Sequence, residues 1–165
     1  MKRFFKYFFL VILAIFILIQ LYPRPKKNND NSRNPADIAV TFSTPADVQN
    51  ILKNSCNDCH SNYTSYPWYA SIQPVAWWLG DHITEGKKEL NFSEFGTYSL
   101  RKKYKKFEEI IKEVEDDKMP IDDYLKIHSD AKLSPGEKTI LIKWATFHQG
   151  EMKRLYPADS LIRKK

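Results

Sequence analysis

Cys56-Asn57-Asp58-Cys59-His60 holds both cysteines of the chain, two residues apart, with a histidine directly after the second. C-x-x-C-H is the spacing used for covalent attachment of a c-type haem. Two thiols add to the two vinyl groups on one edge of the porphyrin. The turn between them carries the next residue under the ring, where its imidazole reaches the iron as proximal ligand. Cys56 and Cys59 are therefore the candidate attachment points and His60 the candidate iron ligand. Two other chemistries use such cysteines. A redox dithiol of the thioredoxin kind opens a helix after a strand in a βαβ unit, but no β-rich run precedes Cys56. Structural zinc wants four ligands, usually with a second Cys or His pair, and His82, His128 and His148 stand singly. A non-haem zinc or dithiol module remains an alternative.

Outward from the motif the chain reads as helices. Thr44 is a candidate N-cap, Pro45 the first helical residue, and Val48, Ile51 and Leu52 form an apolar stripe leading into Cys56. The turn-rich stretch 61–73 is aromatic, and a second helix is predicted from Pro74 through Trp77, Trp78 and His82 to a stop at Gly86. Tyr66, Trp68 and Trp77 are candidate walls for a porphyrin, although core packing accounts for any one ring equally well. The longest helical pattern is 99–117. Leu100, Tyr104, Phe107, Ile111 and Val114 form its inner stripe, and Arg101, Lys102, Lys103, Lys105 and Lys106 fill its wet face.

Met119-Pro120 follows at once, and proline pushes the methionine onto extended backbone. A thioether is the usual sixth ligand in cytochromes c, so Met119 is the candidate distal ligand and His82 its rival. Ser134-Pro135-Gly136-Glu137 is a capping box opening the last helix, with Ile140, Leu141, Trp144, Ala145 and Phe147 as its buried stripe and Gly150 as its stop. His128 and His148 read as surface or helix-end residues, and 151–165 as a loosely held polar tail.

The net charge of +6 is confined to the first 33 residues and cancels beyond them, so a nucleic-acid footprint on the folded part is not supported. Residues 4–22 are apolar apart from Lys6 and Gln20, about the length of a membrane-crossing helix. Leu21-Tyr22-Pro23-Arg24 offers no small-residue cleavage site, so an uncleaved signal anchor is expected over 1–22 rather than a removed signal peptide. Flanking charges nearly tie under the positive-inside rule. The haem motif breaks the tie, because covalent attachment in bacteria takes place beyond the inner membrane. The expected address is single-pass in that membrane, with the domain periplasmic. A flexible linker is expected over 23–43 and one haem domain over 44–150.

Taken together, the chain resembles the small bacterial haem-binding-domain family, a cytochrome c-like group. The resemblance runs from about Asp47 to about Gln149. It rests on Cys56-x-x-Cys59-His60-Ser61-Asn62, Tyr66-Pro67-Trp68-Tyr69, Pro74-Val75-Ala76-Trp77-Trp78, His82-Ile83, Gly86-Lys87, Leu90-Asn91-Phe92-Ser93, Met119-Pro120 and Leu133-Ser134 with Trp144. Phe95 stands where the family often has tryptophan. The resemblance implies an all-α, cytochrome c-like fold around one haem c, attached at Cys56 and Cys59 and ligated by His60 and Met119. The expected role is a membrane-anchored one-electron carrier serving redox partner proteins at the membrane. A haem sensor or peroxidase-like protein with a displaceable distal ligand is the alternative from another class. No residue set for hydrolytic or transferase chemistry stands out.

Overall fold

The computed structural model describes residues 1–32 and 34–162; Arg33 of the expected linker and the last three residues of the expected tail lie outside them. The described chain is all-α, and its one β contact is an isolated bridge between Asn29 and Tyr63. α1 (Lys2–Gln20) has a mean hydropathy of 2.0 and no buried residue, and is long and apolar enough to cross a membrane. Nineteen residues at about 1.5 Å each span close to a hydrocarbon core.

The domain core forms where α6 (Leu100–Glu115) packs along α8 (Pro135–Leu155), with α3 (Ala46–Ser55) against α8. Phe107 is its centre, fully buried, with Phe42, Phe95 and Trp144 at centroid distances of 5.0, 5.2 and 5.6 Å. The capping box of α8 forms as expected: Ser134 accepts from the Glu137 amide while the Glu137 carboxylate accepts from Ser134.

Several sequence expectations give way. Residues 38–42 of the expected linker 23–43 are held to the domain. One-turn α2 (Ile38–Thr41) buries Ile38, and Phe42 packs on the core, so two apolar anchors in a polar stretch tie it down. Gly96 lets it come close, since a Cβ there would stand 2.6 Å from Thr41 Cγ2 and 2.9 Å from the Ala36 carbonyl. At the other end, α8 runs through Gly150 to Leu155. Met152 is buried, and one-turn α9 (Ala158–Leu161) buries Leu161 against α6, so the tail is held by two apolar residues. Phe147 is 61% exposed, while His148 is buried and donates from Nε2 to the Ser43 carbonyl at 2.9 Å, beside the Trp144 Nε1–H bond to the same oxygen. Thr44 does not cap α3, whose N-cap is Pro45; its hydroxyl donates to the Phe42 carbonyl. Lys106 leaves the wet face as well: it is buried, its stem covered and its ammonium 2.6 Å from Glu109.

Gly150 thus sits in mid-helix with nothing within 4 Å of an added Cβ. Gly150→Ala should stabilise the domain by about 0.5–1 kcal/mol, read as a higher urea midpoint at unchanged slope.

Candidate functional site

α3 ends at Ser55, and Cys56 serves as both its C-cap and the N-cap of α4 (Asn57–His60), the single turn that carries the motif. The amides of Cys59 and His60 both bond the Cys56 carbonyl, at 3.2 and 3.0 Å, so the two thiols and the imidazole leave one turn of helix. α5 (Val75–Glu89) packs directly on that turn. Contact is closest at Gly86, where a Cβ would lie 2.8 Å from the Cys59 carbonyl oxygen.

His60 Nδ1 stands 2.9 Å from the carbonyl oxygens of both Gly86 and Leu90, at the C-terminal end of α5. The Gly86 oxygen also accepts from the Leu90 amide at 2.9 Å, so its second lone pair serves His60. Carbonyls only accept, so Nδ1 carries the proton and Nε2 keeps its lone pair. Burial lowers the imidazole pKa, against the raising effect of the two carbonyl bonds, and holds the ring neutral. A neutral histidine whose second nitrogen is anchored to the backbone is the form in which proteins present imidazole to a metal.

The space beside this ring is a cleft in two joined parts, of about 230 and 480 Å³. Cys56, His60, Glu89 and Met119 line both parts. The smaller adds Cys59, His82, Pro120 and Tyr124; the larger adds Phe92, Lys106 and Leu141. Met119 is delivered by the way α6 stops. Asp117 takes a left-handed φ of 56°, Lys118 N–H bonds the Glu113 carbonyl at 2.9 Å and Asp117 N–H the Val114 carbonyl at 3.4 Å, a Schellman ending. The Met119 amide bonds the same Glu113 oxygen at 3.2 Å, which folds the chain back toward the cleft.

Asp58 fastens the motif turn to its surroundings. Its carboxylate accepts from the Ser65 amide at 2.9 Å and from the Tyr124 hydroxyl at 2.9 Å, bringing in one-turn α7 (Asp122–Leu125). Burial, with Asp58 beside it, pushes the Tyr124 phenol well above its ordinary range, so Tyr124 is a donor at neutral pH. Burial also pushes the Cys56 thiol up to about 12, helped by Cys59, and the Cys59 thiol to about 11, helped by Asp58. Both cysteines are therefore protonated thiols at neutral pH, whereas a dithiol nucleophile acts as the thiolate.

A family model described as a haem-binding domain matches residues 14–147. The chain belongs to that family. Searches of curated proteins and of solved structures return no match. The matched span begins inside α1 and extends through residues 23–43 into α8.

The residues present suit a haem. The cleft is mostly apolar, offers a nitrogen lone pair at His60 and a thioether at Met119, and has both thiols on its rim. The three aromatic candidates are placed elsewhere, since none of them lines either part of the cleft. Tyr66 touches the small cluster that also includes Cys59, but its hydroxyl accepts from the Asn28 amide at 2.8 Å. Trp68 is 80% exposed, and Trp77 sits on Tyr22 and donates to the Pro23 carbonyl at 3.3 Å. Ser61, directly after the motif turn, is extended. The aromatic residues that do line the cleft are Phe92, which stands in the Leu90-Asn91-Phe92-Ser93 motif without having been singled out for the site, and Tyr124, which no spacing or motif marked.

Gly86, expected as a helix stop, is instead the contact that lets α5 reach the motif. Gly86→Ala should destabilise the haem-binding domain by about 1–3 kcal/mol, despite alanine's better helix propensity, because the blocking atoms are backbone. The check is a lowered urea midpoint together with a smaller haem yield per chain.

Proposed function

We propose that the chain is a membrane-anchored c-type haem protein that carries one electron at a time. Thioethers at Cys56 and Cys59 hold the haem, His60 Nε2 is the proximal ligand and the Met119 sulfur the distal one. The observation that carries this reading is the His60 ring, with Nδ1–H fixed on two carbonyls and Nε2 unengaged beside a cleft that also holds both cysteines and Met119. Bound haem iron supplies a one-electron redox couple. The chain's part is to fix both axial donors, exclude water with an apolar lining, and keep Tyr124 and Asp58 hydrogen-bonded around the attachment turn.

Placement favours Met119 over His82. His82 is one turn before Gly86 on α5, the helix that backs His60, whereas Met119 enters from the α6–α7 loop and lines both parts of the cleft. If His60 and Met119 both held the iron, no open position would be left for substrate, which would suit electron transfer rather than sensing or peroxidase chemistry. Against a zinc site, no group of three or more His, Cys, Asp or Glu that could hold a metal ion is found among the described residues. α1 serves as the anchor and the domain faces the periplasm, where redox partner proteins reach it.

The deciding experiment is denaturing electrophoresis with haem staining of the exported protein, followed by a spectropotentiometric titration. A haem-stained band, a mass raised by one haem and a reversible one-electron wave are expected. A colourless band with free thiols overturns the assignment. Carbon monoxide binding by the untreated reduced protein points to the sensor or peroxidase class instead.

A further inference from the structure

Close to the end of α1 lies a third cavity, of about 470 Å³, separate from the haem cleft. Lys26 and Lys27 enter it from the segment leaving α1, Lys87 and Lys88 from the end of α5, and Glu94 is its one acidic lining residue. Its position relative to α1 is fixed by three contacts. Gln20, the last residue of α1, exchanges two hydrogen bonds with the Gln73 backbone at 3.0 Å each. Tyr22 packs edge-on against Trp77 at 5.3 Å. Pro25 fills the notch at Gly80, its ring carbon 2.6 Å from where a Cβ would stand. A membrane crossed by α1 would therefore present its headgroups at the mouth of this cavity.

The internal contacts cancel only part of the positive charge. Lys87 Nζ donates to the neutral amide oxygen of Asn28 at 2.7 Å, and Lys27 Nζ lies 5.4 Å over the Tyr66 ring. Lys88 pairs with Glu85 at 3.4 Å, but both side chains are about two-thirds exposed, where such pairs contribute little. Nearby Asp30 accepts from the Ser32 amide at 3.0 Å and its carboxylate also feels the charge of Lys87.

We propose that this cavity binds the phosphate of an anionic phospholipid headgroup in the leaflet on the domain's side of the membrane. Lysine ammonium groups are compact charges suited to phosphate, and basic residues at a membrane surface gather anionic lipid. Soluble phosphate shares the chemistry. The lipid is favoured because the cavity is tied to the point where α1 ends. The proposal rests on α1 lying in a bilayer and is independent of the haem.

The test uses the full-length chain in phosphatidylcholine nanodiscs containing a minor fraction of phosphatidylglycerol, with retained lipid counted by native mass spectrometry. Wild type should keep a single phosphatidylglycerol that the double variant Lys87→Gln/Lys88→Gln loses, with Lys26 and Lys27 intact and the circular dichroism unchanged. Lys88→Gln alone, which leaves the Lys87–Asn28 bond in place, should weaken retention severalfold, and Glu94→Gln should strengthen it. Equal retention by wild type and the double variant overturns the cavity as the site. Release of the lipid by millimolar inorganic phosphate reassigns the cavity to a soluble anion and overturns the lipid assignment. A chain that fails to enter nanodiscs overturns the anchor, and this proposal with it, while leaving the haem reading untouched.

Discussion

Phe107→Ala should cost the domain about 3–5 kcal/mol, the penalty typical of removing a large ring from a fully packed site. Phe107 has no exposed surface, and the rings of Phe42, Phe95, Trp144 and His148 all lie within 5.7 Å of it, centroid to centroid. Those neighbours come from the strap before α3, from the turn before α6 and from α8, so no single element can move in to fill the hole. Total stabilities of such domains run to about 5–15 kcal/mol. The variant is therefore expected near the edge of folding, with a guanidinium midpoint lowered at unchanged slope in tryptophan fluorescence. Phe147→Ala is the control. The sequence pattern placed Phe147 in the same stripe, but it is 61% exposed and should shift stability by less than about 0.5 kcal/mol. If the two variants unfold together, the packing described for α8 is wrong.

The contrast between these two phenylalanines shows what the residues alone could and could not disclose. Helix periodicity identified the stripe of α8, and Leu141, Trp144 and Ala145 are indeed buried. It could not set the width of the stripe, which depends on what packs alongside. The strap brings Ser43 and Phe42 against His148, so His148 turned inward and Phe147 outward. The same strap was misread as a linker because its composition is polar, and composition does not register two well-placed anchors such as Ile38 and Phe42. The tail was misread for the same reason at Met152 and Leu161.

At the site, local chemistry was legible and distant geometry was not. The motif turn, the role offered to His60 and the loop position of Met119 followed from spacing and from proline. The acceptors for His60 Nδ1 are backbone carbonyls of Gly86 and Leu90, which carry no side-chain signature. Tyr124 reaches the cleft through its bond to Asp58, a pairing across 66 residues that no local pattern encodes.

Met119→Ala is expected to change the chemistry of the site more than any other single substitution that leaves attachment intact. In the proposed arrangement the covalent links and the proximal histidine do not involve this residue, so haem staining and the Soret band should persist. The distal position, however, loses its donor. Ferric protein should lose the sulfur–iron charge-transfer band at the red end of the spectrum, and the reduced variant should bind carbon monoxide at once where wild type does so slowly or not at all. His82→Ala should leave both signals unchanged, because His82 lines only the smaller part of the cleft, from α5, whereas Met119 lines both parts. Met119→His sharpens the comparison. A second imidazole in place of the thioether lowers the reduction potential, the direction that separates bis-histidine from His/Met ligation. A red-end band that survives Met119→Ala, or disappears in His82→Ala, would move the distal ligand to α5 and remove the functional reason offered for the Schellman ending of α6.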